Sequence, residues 1–94
     1  MALEFLKELQ DLIETRKKEM PEGSYTTKLF EKGVNKIAQK VGEEAVELVI
    51  ESKDDNDDLF LGEAADLVYH LFVLLVQKGY RIEDVQKVLE GRHK

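Results

Sequence analysis

The sequence predicts an all-α fold, a small helical bundle around an antiparallel helix hairpin and completed by self-association. Apolar residues recur at helical spacing along nearly the whole chain, with no convincing strand alternation. One proline and six glycines punctuate this pattern without filling it. Ninety-four residues, 43% hydrophobic and 36% charged, make one domain, 1–94. A helical chain this short buries a limited core and often completes it by oligomerising.

The first helix is expected from Ala2 to about Lys18, with Leu3, Leu6, Leu9, Leu12 and Ile13 on one stripe and the basic Arg16-Lys17-Lys18 at its C-terminal end. Pro21 and Gly23 break the chain. Ser24, Thr26 and Thr27 are candidate N-caps for a short helix carrying Leu29 and Phe30, which Gly33 either ends or bends. A second long helix should run from about Val34 to Ser52. The acidic run Asp54 to Asp58 then reads as a loop and N-cap. It starts like a calcium-binding hand, but Leu59 and Ala65 stand where that loop needs glycine and glutamate. The third long helix spans about Asp58 to Lys78, stopping at Gly79. A last one spans about Ile82 to Glu90, with Gly91 at its end.

Composition narrows the function. Without cysteine there is no disulfide framework, thiolate zinc site or cysteine nucleophile. The net charge of −6 counts against nucleic acid as a partner, but a nucleotide remains open because a metal can link carboxylates to phosphates. The apolar stretch Leu67–Val76 is interrupted by His70 and falls short of the ~20 residues of a membrane span. The N-terminal residues lack a basic segment and a cleavage site, so a cytoplasmic protein is expected.

The informative feature is a conflict inside the two long helices. With Glu44 at zero, Ile37, Val41, Ala45, Leu48 and Val49 span about 20° to 140°, while Val46 and Ile50 make a second apolar side at about 200° to 240°. Charges lie between the two sides. The next helix is apolar in almost every direction, the signature of burial. It nevertheless carries Glu63, Asp66 and His70 within about 60° of one another. Uncompensated buried charges cost several kcal/mol, so something must neutralise them. Lys40 reaches Glu43 or Glu44, whereas Lys36 reaches no acid at helical spacing. In an antiparallel hairpin, Glu44 and Glu47 would face Glu63 and Asp66. Four convergent carboxylates suit hard Mg²⁺ or Mn²⁺. Otherwise the acids line a wet groove and keep it soluble. A di-iron bundle would need two Glu-x-x-His motifs, and only Glu90-Gly91-Arg92-His93 is present. His70 is either a core histidine or a contact to substrate or ligands. Lys28, Lys32, Lys36 and Lys40 recur every four residues, either as a solvated face or as phosphate contacts beside a metal.

Glu43-Glu44-Ala45-Val46-Glu47, then fifteen residues, then Glu63-Ala64-Ala65-Asp66 resembles the signature of the all-α, MazG-like nucleoside triphosphate pyrophosphatases. Ser24-Tyr25-Thr26, Lys40-Val41-Gly42 and Leu67-Val68-Tyr69-His70-Leu71 narrow the resemblance to the phosphoribosyl-ATP pyrophosphatase family, over roughly Leu3 to Arg92. The resemblance implies a homodimer of helical hairpins and Mg²⁺-dependent hydrolysis of phosphoribosyl-ATP to phosphoribosyl-AMP and pyrophosphate, the second step of histidine biosynthesis. It makes Glu44, Glu47, Glu63 and Asp66 the expected metal ligands. Glu43 is then a further ligand through water or a base. The family's fused partner domain uses cysteine ligands, so a stand-alone form is expected.

Such hydrolysis requires neutralised phosphates and a positioned water more than covalent work by the protein. The base falls to Glu43 or Glu44, phosphate contacts to Lys36 and Lys40, and substrate positioning to Tyr25 and Thr26, with His70 nearby. Val46, Ile50, Tyr69 and Phe72 are expected against a second subunit. Two rivals remain: a housecleaning pyrophosphatase acting on other nucleoside triphosphates, and a non-catalytic helical dimerisation module.

Overall fold

A computed structural model describes residues 3–93 and contains only helices among them. In chain order these are α1 (Glu4–Glu19), α2 (Tyr25–Lys32), α3 (Val34–Glu51), α4 (Asp57–Gln77) and α5 (Ile82–Arg92). The expected start at Ala2 lies outside the described residues. α3 and α4 form the hairpin and make the most extensive contact in the fold, with α1 packed on α4 and α2, and α2 on α3.

Local chemistry sets the boundaries. Met20 takes a left-handed conformation and donates its N–H to the Arg16 carbonyl, ending α1. Ser24 caps α2, its hydroxyl accepting from the Thr27 N–H at 3.2 Å. The other two cap candidates, Thr26 and Thr27, are instead buried inside that helix. Gly33 has φ 90° and ψ −175°, so the chain breaks there and α2 and α3 are separate helices. Asn56 begins α4 by accepting from the Leu59 N–H at 3.1 Å. The Lys17 ammonium donates to the Val76 carbonyl at 3.4 Å, at the end of a helix whose last turn carries no basic residue. α5 runs through Gly91, so that glycine does not terminate it.

The core comprises Ile13, Leu29, Phe30, Ile37, Phe72, Val73 and Val76, with Leu6, Leu9, Tyr69, Leu74 and Ile82 packed against it. Phe72 is therefore committed to the chain's own interior, contrary to the expectation that it meets a second subunit. Tyr69, placed on that outer side as well, is half-buried and its hydroxyl turns inward to Thr26. α4 also departs from the buried helix its composition implied. It is 21 residues long and contains an 18-residue window of mean hydropathy 1.8, long and apolar enough for a membrane span by length and composition, which corrects the shorter estimate from Leu67–Val76. Leu59, Leu61 and Val68 lie exposed on it. Four helices cannot surround a fifth on every side in a chain this small. The radius of gyration, 14.4 Å, exceeds the about 12 Å of a compact domain of this length.

A polar network ties α1 to the start of α5. Gln10 is fully buried, donates to Glu83 at 2.9 Å and accepts from the Ile82 N–H. The Arg81 guanidinium meets Glu14 at 2.6 Å and Asp11 at 3.0 Å. Glu83 is held down to about 2 by the Gln10 amide first, then by its own backbone N–H and Arg81.

Candidate active site

The hairpin brings acids from α3 and α4 to one point. Glu44, Glu63 and Asp66 each present a carboxylate oxygen, and these oxygens lie within 4.8 Å of one another. The i, i+3 spacing of Glu63 and Asp66 aligns them on one face of α4, and the antiparallel crossing sets Glu44 opposite. Glu44 is buried, Glu63 half-buried and Asp66 exposed, so the cluster is open on one side. Glu47 lies outside this trio but its carboxylate meets Glu63. Hydrogen bonding to Glu47 is the main reason that Glu63 is pushed up to about 7; desolvation and the charges of Glu47 and Glu44 act the same way. Crowded carboxylates disfavour one another's charged forms.

Lys40 is the only cation at the cluster among the described residues, 3.3 Å from Glu44 and 3.5 Å from Glu43. Desolvation works against its charge, but its bonds to Glu44 and Glu43 hold the ammonium above the ordinary lysine value. Glu43 points elsewhere. Its carboxylate accepts from Gln39 at 2.8 Å, and this contact first, then Lys40, keeps it below the usual carboxylate range.

Tyr25 and His70 close the other side. His70 is buried, with its Nδ1 2.7 Å from the Asp66 carbonyl and its Nε2 2.8 Å from the Tyr25 hydroxyl. A carbonyl only accepts, so Nδ1 carries the proton. In the neutral ring Nε2 then accepts from Tyr25. Tyr25 and Tyr69 pack edge-on against this imidazole, at 5.8 and 5.5 Å between ring centres. His70 thus sits behind Tyr25 and does not line the open side. Burial of its hydroxyl end pushes the Tyr25 phenol up, against the opposing pull of Lys40, although half of the residue is exposed. Thr26 is buried behind Tyr25 with its hydroxyl on Tyr69. Tyr69, expected from the sequence to pack as an apolar side chain against a second subunit, instead uses its hydroxyl inside the chain; a tyrosine on a largely apolar helix signals a hydroxyl in search of a partner.

The lysine stripe survives the break at Gly33. A cavity of about 260 Å³ is lined by Tyr25, Lys28, Leu29, Lys32, Lys36 and Lys40. It adjoins the acids through Lys40.

The chain as a whole has counterparts among known proteins. Residues 6–93 match the family described as phosphoribosyl-ATP pyrophosphohydrolase. The histidine biosynthesis bifunctional protein HisIE of Bacteroides thetaiotaomicron is 62% identical over 89 residues, covering 95% of this chain and 44% of that protein. The phosphoribosyl-ATP pyrophosphatase of Leptospira biflexa is 48% identical over 91 residues, covering 97% of this chain and 99% of that one. That of Clostridium acetobutylicum is 49% identical over 90 residues, covering 96% and 82%. The chain spans less than half the length of the bifunctional relatives it matches.

Proposed function

Because this chain belongs to the phosphoribosyl-ATP pyrophosphohydrolase family, we propose that it hydrolyses the α–β phosphoanhydride of phosphoribosyl-ATP, releasing pyrophosphate and phosphoribosyl-AMP in histidine biosynthesis. The observation that carries this reading is the convergence of Glu44, Glu63 and Asp66 beside a lysine-lined cavity.

The donor set is all oxygen, and the upward shift of Glu63 marks a charge that its surroundings leave uncompensated. Both features fit a hard divalent cation, Mg²⁺ or Mn²⁺, held by Glu44, Glu63 and Asp66 with Glu47 at their edge. When bound, such an ion would neutralise phosphate charge and make an attacking water more acidic. The chain's own residues do the rest. Lys40, kept charged by Glu44, draws phosphate oxygens toward the acids. Lys36 continues that contact one turn away. Tyr25, held by His70, orients the substrate. Of the two base candidates, Glu44 stands at the cluster, whereas Glu43 lies outside it with its carboxylate on Gln39; the proton therefore passes to Glu44.

A second copy of the chain belongs to the same reading. Val46, Val49, Ile50, Leu59 and Leu61 are each more than half exposed along the hairpin. A homodimer that buries them offsets the small core.

The test is pyrophosphate release from phosphoribosyl-ATP, with and without Mg²⁺, beside a panel of ordinary nucleoside triphosphates. Metal-dependent release from phosphoribosyl-ATP alone is the expected result. Release only from the panel would make the protein a housecleaning pyrophosphatase. No release by a folded dimer would leave a non-catalytic module.

A further inference from the structure

The lysine cavity is larger in charge than the proposed reaction centre needs. In a chain of net charge −6, four ammonium groups gather around one space. Lys40 is neutralised by Glu44 and Glu43. Among the described residues no carboxylate forms an ion pair with Lys28, Lys32 or Lys36. Acids are abundant in the sequence, so three unpaired cations lining a cavity mark a place suited to an anion from outside.

The order along the cavity follows from the two helices. Tyr25, at the start of α2, lies beside Lys40 and His70. α2 then runs back toward Gly33, carrying Lys28 and Lys32 away from the acids. Lys36 stands one turn before Lys40 on α3, about 6 Å farther from Glu44. The cavity therefore has an acid-side end at Tyr25 and Lys40, a remote end at Lys28 and Lys32, and Lys36 between them.

We infer that the remote end is a subsite for the lone phosphate monoester of the substrate's phosphoribosyl group, which ordinary nucleoside triphosphates lack. The inference rests on the proposed function and supplies its selectivity. The triphosphate is drawn to the acid side, where Lys40 and the carboxylates act. The base-linked ribose 5-phosphate then brings a dianion to lysines that form no ion pair with a carboxylate among the described residues, and lysine binds such a group as a point charge. A cavity of about 260 Å³ accommodates a phosphate and part of its sugar.

The experiment compares binding of phosphoribosyl-AMP and AMP by titration calorimetry without metal, for the wild type, Lys28→Gln and the double variant Lys28→Gln/Lys32→Gln. Both residues are exposed, and circular dichroism verifies that the variants fold. The wild type should prefer phosphoribosyl-AMP by about tenfold or more, the single variant less, and the double variant by about twofold or less. In turnover, the loss should fall on KM for phosphoribosyl-ATP and not on kcat. A wild type with no preference, or a folded double variant that keeps it, overturns the subsite. So does equal weakening of inorganic pyrophosphate binding, which would assign the lysines to the triphosphate end. Absence of phosphoribosyl-ATP hydrolysis by the wild type would sink the proposed function, whereas hydrolysis with an unchanged KM in the double variant sinks the subsite alone.

Discussion

The Tyr25 hydroxyl donates to Nε2 of His70 at 2.8 Å, and the opposite ring nitrogen is tied to the Asp66 carbonyl at 2.7 Å. A residue of α2 is thereby fixed to the turn of α4 that carries one of the clustered acids. Replacing His70 by Ala should cost stability by about 1–3 kcal/mol, since it leaves a buried space and frees a phenol. Tyr25→Phe should keep the melting temperature within a few degrees but lower kcat/KM about five- to tenfold, the value of one hydrogen bond. Thermal denaturation and steady-state kinetics separate the two effects.

Glu63 connects stability to pH and metal. Its folded value near 7 lies above the ordinary 4.5 of the unfolded chain. Its contribution is thus fully present below about pH 4.5 and is lost as the pH rises through about 7. Without metal, the wild type should become less stable across that window, and Glu63→Gln should flatten the decline. Mg²⁺ should raise the wild-type melting temperature at pH 8, as an ion held by the folded acid cluster alone would. Glu63→Gln should blunt that rise. Melting curves across pH, with and without Mg²⁺, check both outcomes.

Glu83 behaves in the opposite sense. Its folded value near 2 lies below the unfolded one, so its contribution is present above about pH 4.5 and disappears as the pH falls toward 2. Glu83→Gln should remove that acid-side loss. Gln10→Ala leaves the Ile82 N–H and Glu83 without their buried partner and should cost about 1–3 kcal/mol at pH 7. Urea unfolding at pH 7 and pH 3 measures each.

Gly33 joins two lysine-bearing helices in a backbone region that essentially only glycine occupies, φ 90° and ψ −175°. A Cβ there would meet nothing within 4 Å, so any penalty is conformational and not steric crowding from neighbours. Gly33→Ala should destabilise by about 1–3 kcal/mol and weaken phosphoribosyl-AMP binding by moving Lys28 and Lys32 relative to Lys36. A melt and a titration on one preparation test the two parts.

Val46 and Ile50 project from α3 with 59% and 56% of their surface exposed. The double variant Val46→Glu/Ile50→Lys should be monomeric by sedimentation at concentrations where the wild type is a dimer. A wild-type monomer, or a dimeric variant, would remove the proposed interface.

The helices and the acids were legible in the sequence because both depend on short-range periodicity. Spacing of four puts Glu44 and Lys40 on one face, and spacing of three does the same for Glu63 and Asp66, whatever the rest of the chain does. The Lys40–Glu44 pair needed no tertiary information. Ser24 and Asn56 declare their helix starts by the same local chemistry. Other relationships span the fold and have no such period. Gln10 and Glu83 are separated by 73 residues, and Tyr25 and His70 by 45.

Sequence by itself therefore determined an all-α chain with a helix hairpin, a set of acids on its facing helices and the family signature they spell. Only the tertiary structure decided that Glu43 turns away from the cluster, that Phe72 belongs to the chain's own core, that His70 stands behind Tyr25, and that four lysines from two helices share one cavity. The physical reason is that side-chain direction along a helix follows from its 3.6-residue repeat. Which directions meet depends instead on helix crossings and on the single turn at Gly33, where small backbone angles move whole faces.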